Sequence, residues 1–153
     1  MADSPIILYD GVCALCNAFT AFVLRHDVSD VFKFAALQSA FARAALLRHG
    51  VTASDLETVY IVRAPGTDRE TVIGRARAVA FILGQLPRTA WLGRLLAWVP
   101  SPLANAGYAL VATRRYRLFG KFDTCPLPSV AHRAKFLDVS RDPEQGPAAT
   151  STL

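Results

Sequence analysis

The feature that most constrains the fold is a pair of cysteines placed between a short strand and a helix. Residues 6–9 are a continuous apolar run followed by an Asp-Gly turn, which predicts a buried strand. From Ala14 onward, apolar residues recur at helical spacing, so Cys13 and Cys16 are expected at the N-terminus of the first helix. A second strand is predicted at residues 31–35. Such a strand–helix–strand unit implies two parallel strands joined by a right-handed crossover.

The following part of the chain predicts the rest of a mixed sheet. Ser39 is a suitable N-cap for a helix at residues 41–47, and residues 58–62 form a strand rich in β-branched and aromatic side chains. A turn at residues 64–68 leads to a short antiparallel strand at residues 70–73, and a further helix follows. The predicted fold class is therefore α/β, with a mixed four-stranded sheet flanked by helices.

A helical extension is predicted at residues 87–137, after a core that spans residues 5–86. The apolar stretch at residues 91–112 is about as long as a membrane span, but Arg94 lies within it. Pro100-Ser101-Pro102 interrupts the stretch in the middle, and each half is too short to cross a bilayer. We therefore expect two amphipathic helices joined by a proline turn.

Core and extension are expected to form a single domain over residues 1–137. Trp91 and Trp98 are expected to pack the extension against the core, so that it covers part of the core or the rim of the active site. Residues 138–153 are rich in Pro, Gly, Ser and Thr, which predicts a disordered tail.

The cysteine pair predicts thiol–disulfide exchange. Unpaired N–H groups and the dipole at a helix N-terminus stabilise a negative sulfur, and only a thiolate attacks a disulfide. We therefore predict Cys13, at the cap, as the nucleophile and Cys16, one turn inside, as the shielded resolving thiol. Asp10, three residues before Cys13, is a third candidate catalytic residue. It either forms the turn or exchanges a proton with Cys16, and the sequence leaves both roles open.

The third cysteine leaves two further alternatives open. Cys125 lies in a proline-rich loop and is either a third redox thiol or a small buried residue. A zinc-binding structural or interaction module is the alternative function, with Cys13, Cys16, Cys125 and His132 as its four ligands. The leading prediction, disulfide exchange, needs no cofactor.

Composition limits the classes of partner. The chain has 153 residues, 52% of them apolar, and a net charge of +5. The densest basic cluster, at residues 114–117, is expected to be a solvated helix end, so nucleic-acid binding is not predicted. The expected partner is a protein or a small thiol or disulfide, and the apolar extension is a candidate contact with a membrane surface or a protein. Three cysteines and no recognised secretory signal before the first strand predict a cytoplasmic protein.

Several segments together resemble one family. Residues 9–17, Tyr-Asp-Gly-Val-Cys-Ala-Leu-Cys-Asn, are similar to the D-G-x-C-x-x-C-N opening of the DCC family of predicted thioredoxin-like thiol–disulfide oxidoreductases. The similarity continues in residues 34–39, in residues 115–120 and in Cys125-x-x-Pro128. The resemblance covers roughly residues 5–137. It implies a thioredoxin-like three-layer fold and assigns the redox role to the two cysteines of the opening motif.

Overall fold

The order of elements follows the predicted alternation of strands and helices. A computed structural model describes residues 4–51, 58–121 and 129–138 of the chain. The elements are β1 (Ile6–Tyr9), α1 (Ala14–His26), β2 (Lys33–Ala36), α2 (Ala40–Arg48), β3 (Tyr60–Arg63), β4 (Thr71–Gly74), α3 (Arg75–Gln85), α4 (Ala90–Trp98), α5 (Ser101–Phe119) and a 3-10 helix (Val130–Lys135).

The four strands form one mixed sheet with the order β2-β1-β3-β4. β1 pairs in parallel with β2, while the β1–β3 and β3–β4 pairs are antiparallel. All four residues of β1 are buried, as expected for a central strand that is covered on both faces. The predicted mixed four-stranded sheet is confirmed.

Alternation along β1 divides the core between the two faces of the sheet. Ile7 and Tyr9 lie in one apolar cluster, which also contains residues of α1 and α3. Ile6 and Leu8 lie in a second cluster, together with residues of α2. Successive strand residues point to opposite faces, so this division produces three layers. The thioredoxin-like three-layer fold that the resemblance implied is confirmed.

β2 begins two residues later than the sequence predicts. The Asp27 carboxylate accepts hydrogen bonds from the backbone N–H groups of Val31 at 2.9 Å and Phe32 at 3.1 Å. Because these two N–H groups donate to a side chain, they are not used for pairing with a neighbouring strand, and β2 begins at Lys33.

The extension folds back on the core as two helices joined at Pro100, as predicted. α4 packs on α3 and α5 packs on α1 and α3. The Tyr108 hydroxyl accepts a hydrogen bond from the Val59 N–H at 2.9 Å, which connects α5 to the residue just before β3. No single helix among the described residues is long and apolar enough to cross a membrane. α4 and α5 satisfy length and composition only as a pair, and the pair is bent by 115°.

The prediction that two tryptophans pack the extension against the core is wrong. Trp91 and Trp98 are 63% and 89% exposed. Gly93 makes the contact instead, because a Cβ added there would lie 2.4 Å from the Gly84 backbone nitrogen. The smallest residue of α4 therefore sets the packing face and turns the tryptophans outward.

The segment at residues 129–138 returns to the edge of the sheet. The Phe136 ring stacks on Phe34 with centroids 5.2 Å apart, and the Leu137 N–H donates to the Phe34 carbonyl at 2.9 Å. The Asp138 carboxylate accepts from the Ala36 N–H at 3.0 Å. Apart from Asp138, the predicted tail at residues 138–153 lies outside the described residues.

Candidate functional site

The cysteine pair lies at the start of α1, as the sequence predicts. Cys13 is the N-cap, with extended backbone, and its Sγ accepts a hydrogen bond from the Cys16 N–H at 3.4 Å. Both cysteines are free thiols. A sulfur at this position receives a backbone N–H donor at the N-terminus of a helix, where N–H groups lack partners within the helix.

Polar side chains hold the turn that presents Cys13. The Asn17 amide nitrogen donates to the carbonyls of Gly11 at 2.7 Å and Cys13 at 2.9 Å. The Gln38 amide donates to Asp10 Oδ1 at 3.1 Å and accepts from the Gly11 N–H at 3.4 Å. The turn is therefore fixed both from within α1 and from the loop that follows β2.

Asp10 has the geometry of a turn former and of a buried counter-ion. Its Oδ1 accepts from the Val12 N–H at 3.2 Å, which is the hydrogen bond of an Asx turn. Its Oδ2 accepts from Arg115 Nη2 at 3.1 Å and also from the Tyr116 hydroxyl. Together with Gln38, four donors occupy the two oxygens. This arrangement favours the turn-forming role and adds an ion pair with α5.

Arg115 corrects the expectation that its basic cluster is a solvated helix end. The residue is only 2% exposed, and α5 directs it into the site. Burial opposes its charge, but the hydrogen bond to Tyr116 and the nearby thiol of Cys16 raise the Arg115 pKa, so it stays cationic. Its guanidinium lies 4.7 Å from the centre of the Tyr116 ring. A buried, permanent positive charge therefore lies beside the thiols.

The surroundings of Cys16 keep its thiol protonated. Burial, followed by the hydrogen bond with the Cys13 side chain, raises the Cys16 pKa to about 12. Arg115 lowers this pKa and Asp10 raises it, so the two members of the ion pair have opposite effects on the Cys16 pKa. The protonated Cys16 thiol can therefore donate a hydrogen bond to the Cys13 sulfur.

The end of α5 lies over Cys13. The Ala14 N–H donates to the Gly120 carbonyl at 3.4 Å, and Cys13 forms an isolated antiparallel bridge with Lys121. Gly120 has a φ of +86°, a conformation in which a side chain would be strained. Cys13 is 0% exposed and Cys16 is 6% exposed. The sequence predicted Cys16 as the shielded thiol, whereas the structure buries both thiols.

An apolar cavity of about 420 Å³ lies beside Cys16. Helices α1, α3, α4 and α5 all contribute to its lining, which includes Phe19, Leu96 and Tyr108 as well as Arg115. The volume is in the range of small-molecule sites, and most of the lining is apolar. The cavity can therefore take an apolar group next to the Cys16 thiol.

The proposed zinc ligands are not all described. Cys125 lies outside the described residues, so neither its role as a redox thiol nor the four-ligand set is tested. His132 Nδ1 is hydrogen-bonded to the Ser129 hydroxyl at 2.8 Å. Over residues 4–51, 58–121 and 129–138, no three His, Cys, Asp or Glu side chains form a group able to hold a metal.

Residues that complete the site were missed by reasoning from residue type alone. Arg115 and Tyr116 lie in a basic run at a helix end, and Gln38 lies in a loop. Each of them, however, falls within a segment that carries the family resemblance. Those segments therefore contained a signal for the side chains that surround Asp10.

Comparison with known proteins agrees with this geometry. The model of the DCC1-like thiol-disulfide oxidoreductase family matches residues 7–121. A chloroplastic DCC family protein of Arabidopsis thaliana is 35% identical over 125 residues, which cover 80% of this chain and 69% of that protein. The uncharacterized protein YuxK of Bacillus subtilis is 29% identical over 133 residues, covering 86% of this chain and 93% of YuxK. No solved structure matches significantly. The family match, which spans the cysteine pair, α5 and Arg115, shows that the chain belongs to the DCC1-like thiol-disulfide oxidoreductase family.

Proposed function

We propose that Cys13 and Cys16 exchange a disulfide with a protein or a small-molecule partner. The Cys13 thiolate attacks one sulfur of the partner disulfide, which forms a mixed disulfide and releases the first partner sulfur as a thiolate that takes up the proton Cys13 had lost to solvent. Cys16 then attacks the Cys13 sulfur, the second partner thiol leaves, and it takes up the proton that Cys16 loses. The two cysteines are oxidised to one disulfide and the partner disulfide is reduced to two thiols. The reverse sequence oxidises a partner dithiol.

The observation that carries this proposal is the hydrogen bond from the Cys16 N–H to Cys13 Sγ at the N-cap. It distinguishes the two thiols, because Cys13 receives the backbone donor while burial raises the pKa of Cys16 to about 12. A protonated Cys16 cannot attack until a mixed disulfide has changed its surroundings. Asp10 holds Arg115 in place beside the thiols, and the two charges act on the Cys16 pKa in opposite directions.

Access to Cys13 requires a local opening. Gly120 and Lys121 must separate from Cys13 and Ala14 before a partner sulfur can reach Cys13. This opening breaks few backbone contacts at a helix end, where the structure is expected to be least stable.

The cavity beside Cys16 supports a partner with an apolar group close to its disulfide. Its lining is mostly apolar, and Arg115, the one cationic residue among the described residues that line it, has its charge balanced by Asp10. A partner with acidic groups at this position would lose their hydration without gaining a counter-ion. We therefore expect disulfides with aromatic or aliphatic substituents to react faster than disulfides with carboxylate substituents.

The division of labour between the cysteines can be tested with serine variants on non-reducing gels. Cys13→Ser should form no mixed disulfide and lose reductase activity. Cys16→Ser should still attack and then remain covalently attached to its partner. If Cys125 is a second resolving thiol, the Cys16→Ser adduct should be released slowly and only Cys16→Ser/Cys125→Ser should trap the partner stably.

The controls distinguish chemistry from loss of folding. Cys125→Ser should keep most of the activity if that residue is structural. Each variant should be compared by circular dichroism before its activity is measured. If Cys13→Ser reduces disulfides as fast as the unchanged protein, the assignment of Cys13 as nucleophile is wrong.

A further inference from the structure

The exposed apolar surface is concentrated on the helical extension. All but two of the large, exposed apolar side chains among the described residues lie in α4 and α5. They are Trp91, Leu92, Leu95, Trp98, Leu103, Leu110, Val111, Leu118 and Phe119. A concentration of this kind marks an interaction surface, whereas single exposed apolar residues are normal.

Helix α4 presents the most strongly apolar part of this surface. Trp91, Leu95 and Trp98 are spaced by four and three residues, so they share one side of the helix. They are 63%, 60% and 89% exposed. Gly93 lies on the other side, against α3. We refer to Trp91, Leu95 and Trp98 as the tryptophan face.

The charge of the extension has one sign. Residues 87–121 contain six basic residues and no acidic residue. The basic residues are Arg88, Arg94, Arg114, Arg115, Arg117 and Lys121. Arg115 is paired with Asp10 in the interior. Arg94 lies within α4 and Arg88 precedes the helix by two residues, so both are close in sequence to the tryptophan face. A surface with this charge is complementary to an anionic partner.

We infer that the tryptophan face binds an anionic lipid surface. Tryptophan is enriched at the level of the lipid headgroups, where its ring is partly buried and its N–H stays near water. An amphipathic helix with basic residues beside an apolar side lies in the plane of this interface. Arg88 and Arg94 would meet lipid phosphates while Trp91, Leu95 and Trp98 enter the boundary of the acyl chains. The competing partner is a protein with an acidic groove. Such a groove does not offer the change from polar headgroups to apolar acyl chains at which tryptophan is enriched.

Binding at this face would bring the redox site close to the membrane. Leu96 follows Leu95 on α4 and lines the apolar cavity together with Cys16. Leu103 and Val111 are exposed and line the same cavity. The apolar surface of the extension is thus continuous with the cavity beside the resolving thiol.

Intrinsic fluorescence offers a direct test, because Trp91 and Trp98 are the 2 tryptophans of the chain. The full chain should be mixed with vesicles of phosphatidylcholine alone and with vesicles that also contain phosphatidylglycerol. We expect red-shifted emission in buffer, and a blue shift with protection from aqueous iodide on the anionic vesicles. Added salt should weaken binding, as charge attraction requires.

Matched variants keep both tryptophan reporters. Leu95→Ser should weaken binding to anionic vesicles by about ten-fold, because one inserted apolar side chain is lost. Arg94→Gln should weaken it by about five-fold, because one surface charge is lost. Leu47→Ser and Arg43→Gln alter exposed residues of α2, and they should leave binding unchanged. These comparisons do not depend on the redox reaction, so they fail or succeed independently of the proposed exchange.

Three results would overturn the inference. Emission that is already blue-shifted in buffer, together with a larger hydrodynamic size, would mean that a second copy covers the face. A blue shift with an acidic protein but with no vesicle would identify a protein partner instead. Equal binding by Leu95→Ser and Leu47→Ser would show that the tryptophan face is not the contact.

Discussion

Replacing Arg115 by methionine removes the cation that balances a buried carboxylate. Arg115 and Asp10 side chains are 2% and 5% exposed, and their charged atoms are 3.1 Å apart. Breaking such a pair from one side costs about 3–5 kcal/mol, because the remaining charge stays buried. Asp10 would keep its hydrogen bonds from Val12, Gln38 and Tyr116. We therefore expect Arg115→Met to lower the free energy of unfolding by about 3 kcal/mol, the lower end of that range.

The accompanying variant is Asp10→Asn, which removes the negative charge and keeps an acceptor for Val12 and Gln38. Alone, it leaves Arg115 buried without its counter-ion and should cost a similar amount. The double variant contains neither buried charge. It should therefore be more stable than the sum of the two single effects predicts, by at least about 1 kcal/mol.

Urea denaturation followed by circular dichroism measures these differences. For a chain of this size, about 3 kcal/mol corresponds to a fall in Tm of roughly 6–12 °C. Arg48→Met is the control, because Arg48 pairs with Glu70 while 53% exposed, and its loss should cost no more than about 1 kcal/mol. If the effects of Arg115→Met and Asp10→Asn on the free energy of unfolding are additive, the ion pair is not what links α5 to the turn that presents Cys13.

Two further changes test other parts of the structure. Gly93→Ala should destabilise the protein by about 1–3 kcal/mol, because its Cβ would lie 2.4 Å from a backbone atom of α3, and urea denaturation would detect this. Gly84→Ala is its control: no atom lies within 4 Å of the added Cβ, so it should be neutral or stabilising by up to about 1 kcal/mol. The Gly66 N–H, followed by His49 and Arg48, holds the pKa of Glu70 below its usual value. Glu70 therefore contributes stability that is present above its unfolded pKa and lost as the pH falls through its folded pKa. The fall in Tm between about pH 6 and about pH 3 should be smaller in Glu70→Gln than in the unchanged protein, and an equal fall would contradict this reasoning.

Local sequence signals predicted the elements that local interactions determine. The apolar run of β1 is a central strand, and Cys13 caps α1 as the strand–helix junction required. Ser39 caps α2, with its hydroxyl accepting from the Ala42 N–H at 3.2 Å. In each case, the residues that determine the structure lie within a few positions of one another.

Interactions between distant segments account for what the sequence did not reveal. Arg115 lies in a run with Arg114 and Arg117 at the end of a helix, a pattern typical of a solvated surface. Only the packing of α5 on α1 directs it toward Asp10. The outward position of Trp98 similarly depends on Gly93, whose close contact with α3 cannot be recognised from a glycine in an apolar helix.

The ion pair between Asp10 and Arg115 joins residues that are 105 positions apart in the chain. At a synthesis rate of about 5–20 residues per second, Arg115 leaves the ribosome roughly 5 to 20 seconds after Asp10. During this interval the nascent chain carries Cys13 and Cys16 without the cation and without the end of α5 that encloses Cys13. The growing chain therefore holds two thiols that other thiols and disulfides can reach. Translation of α5 is the event that converts an accessible pair of cysteines into an enclosed site.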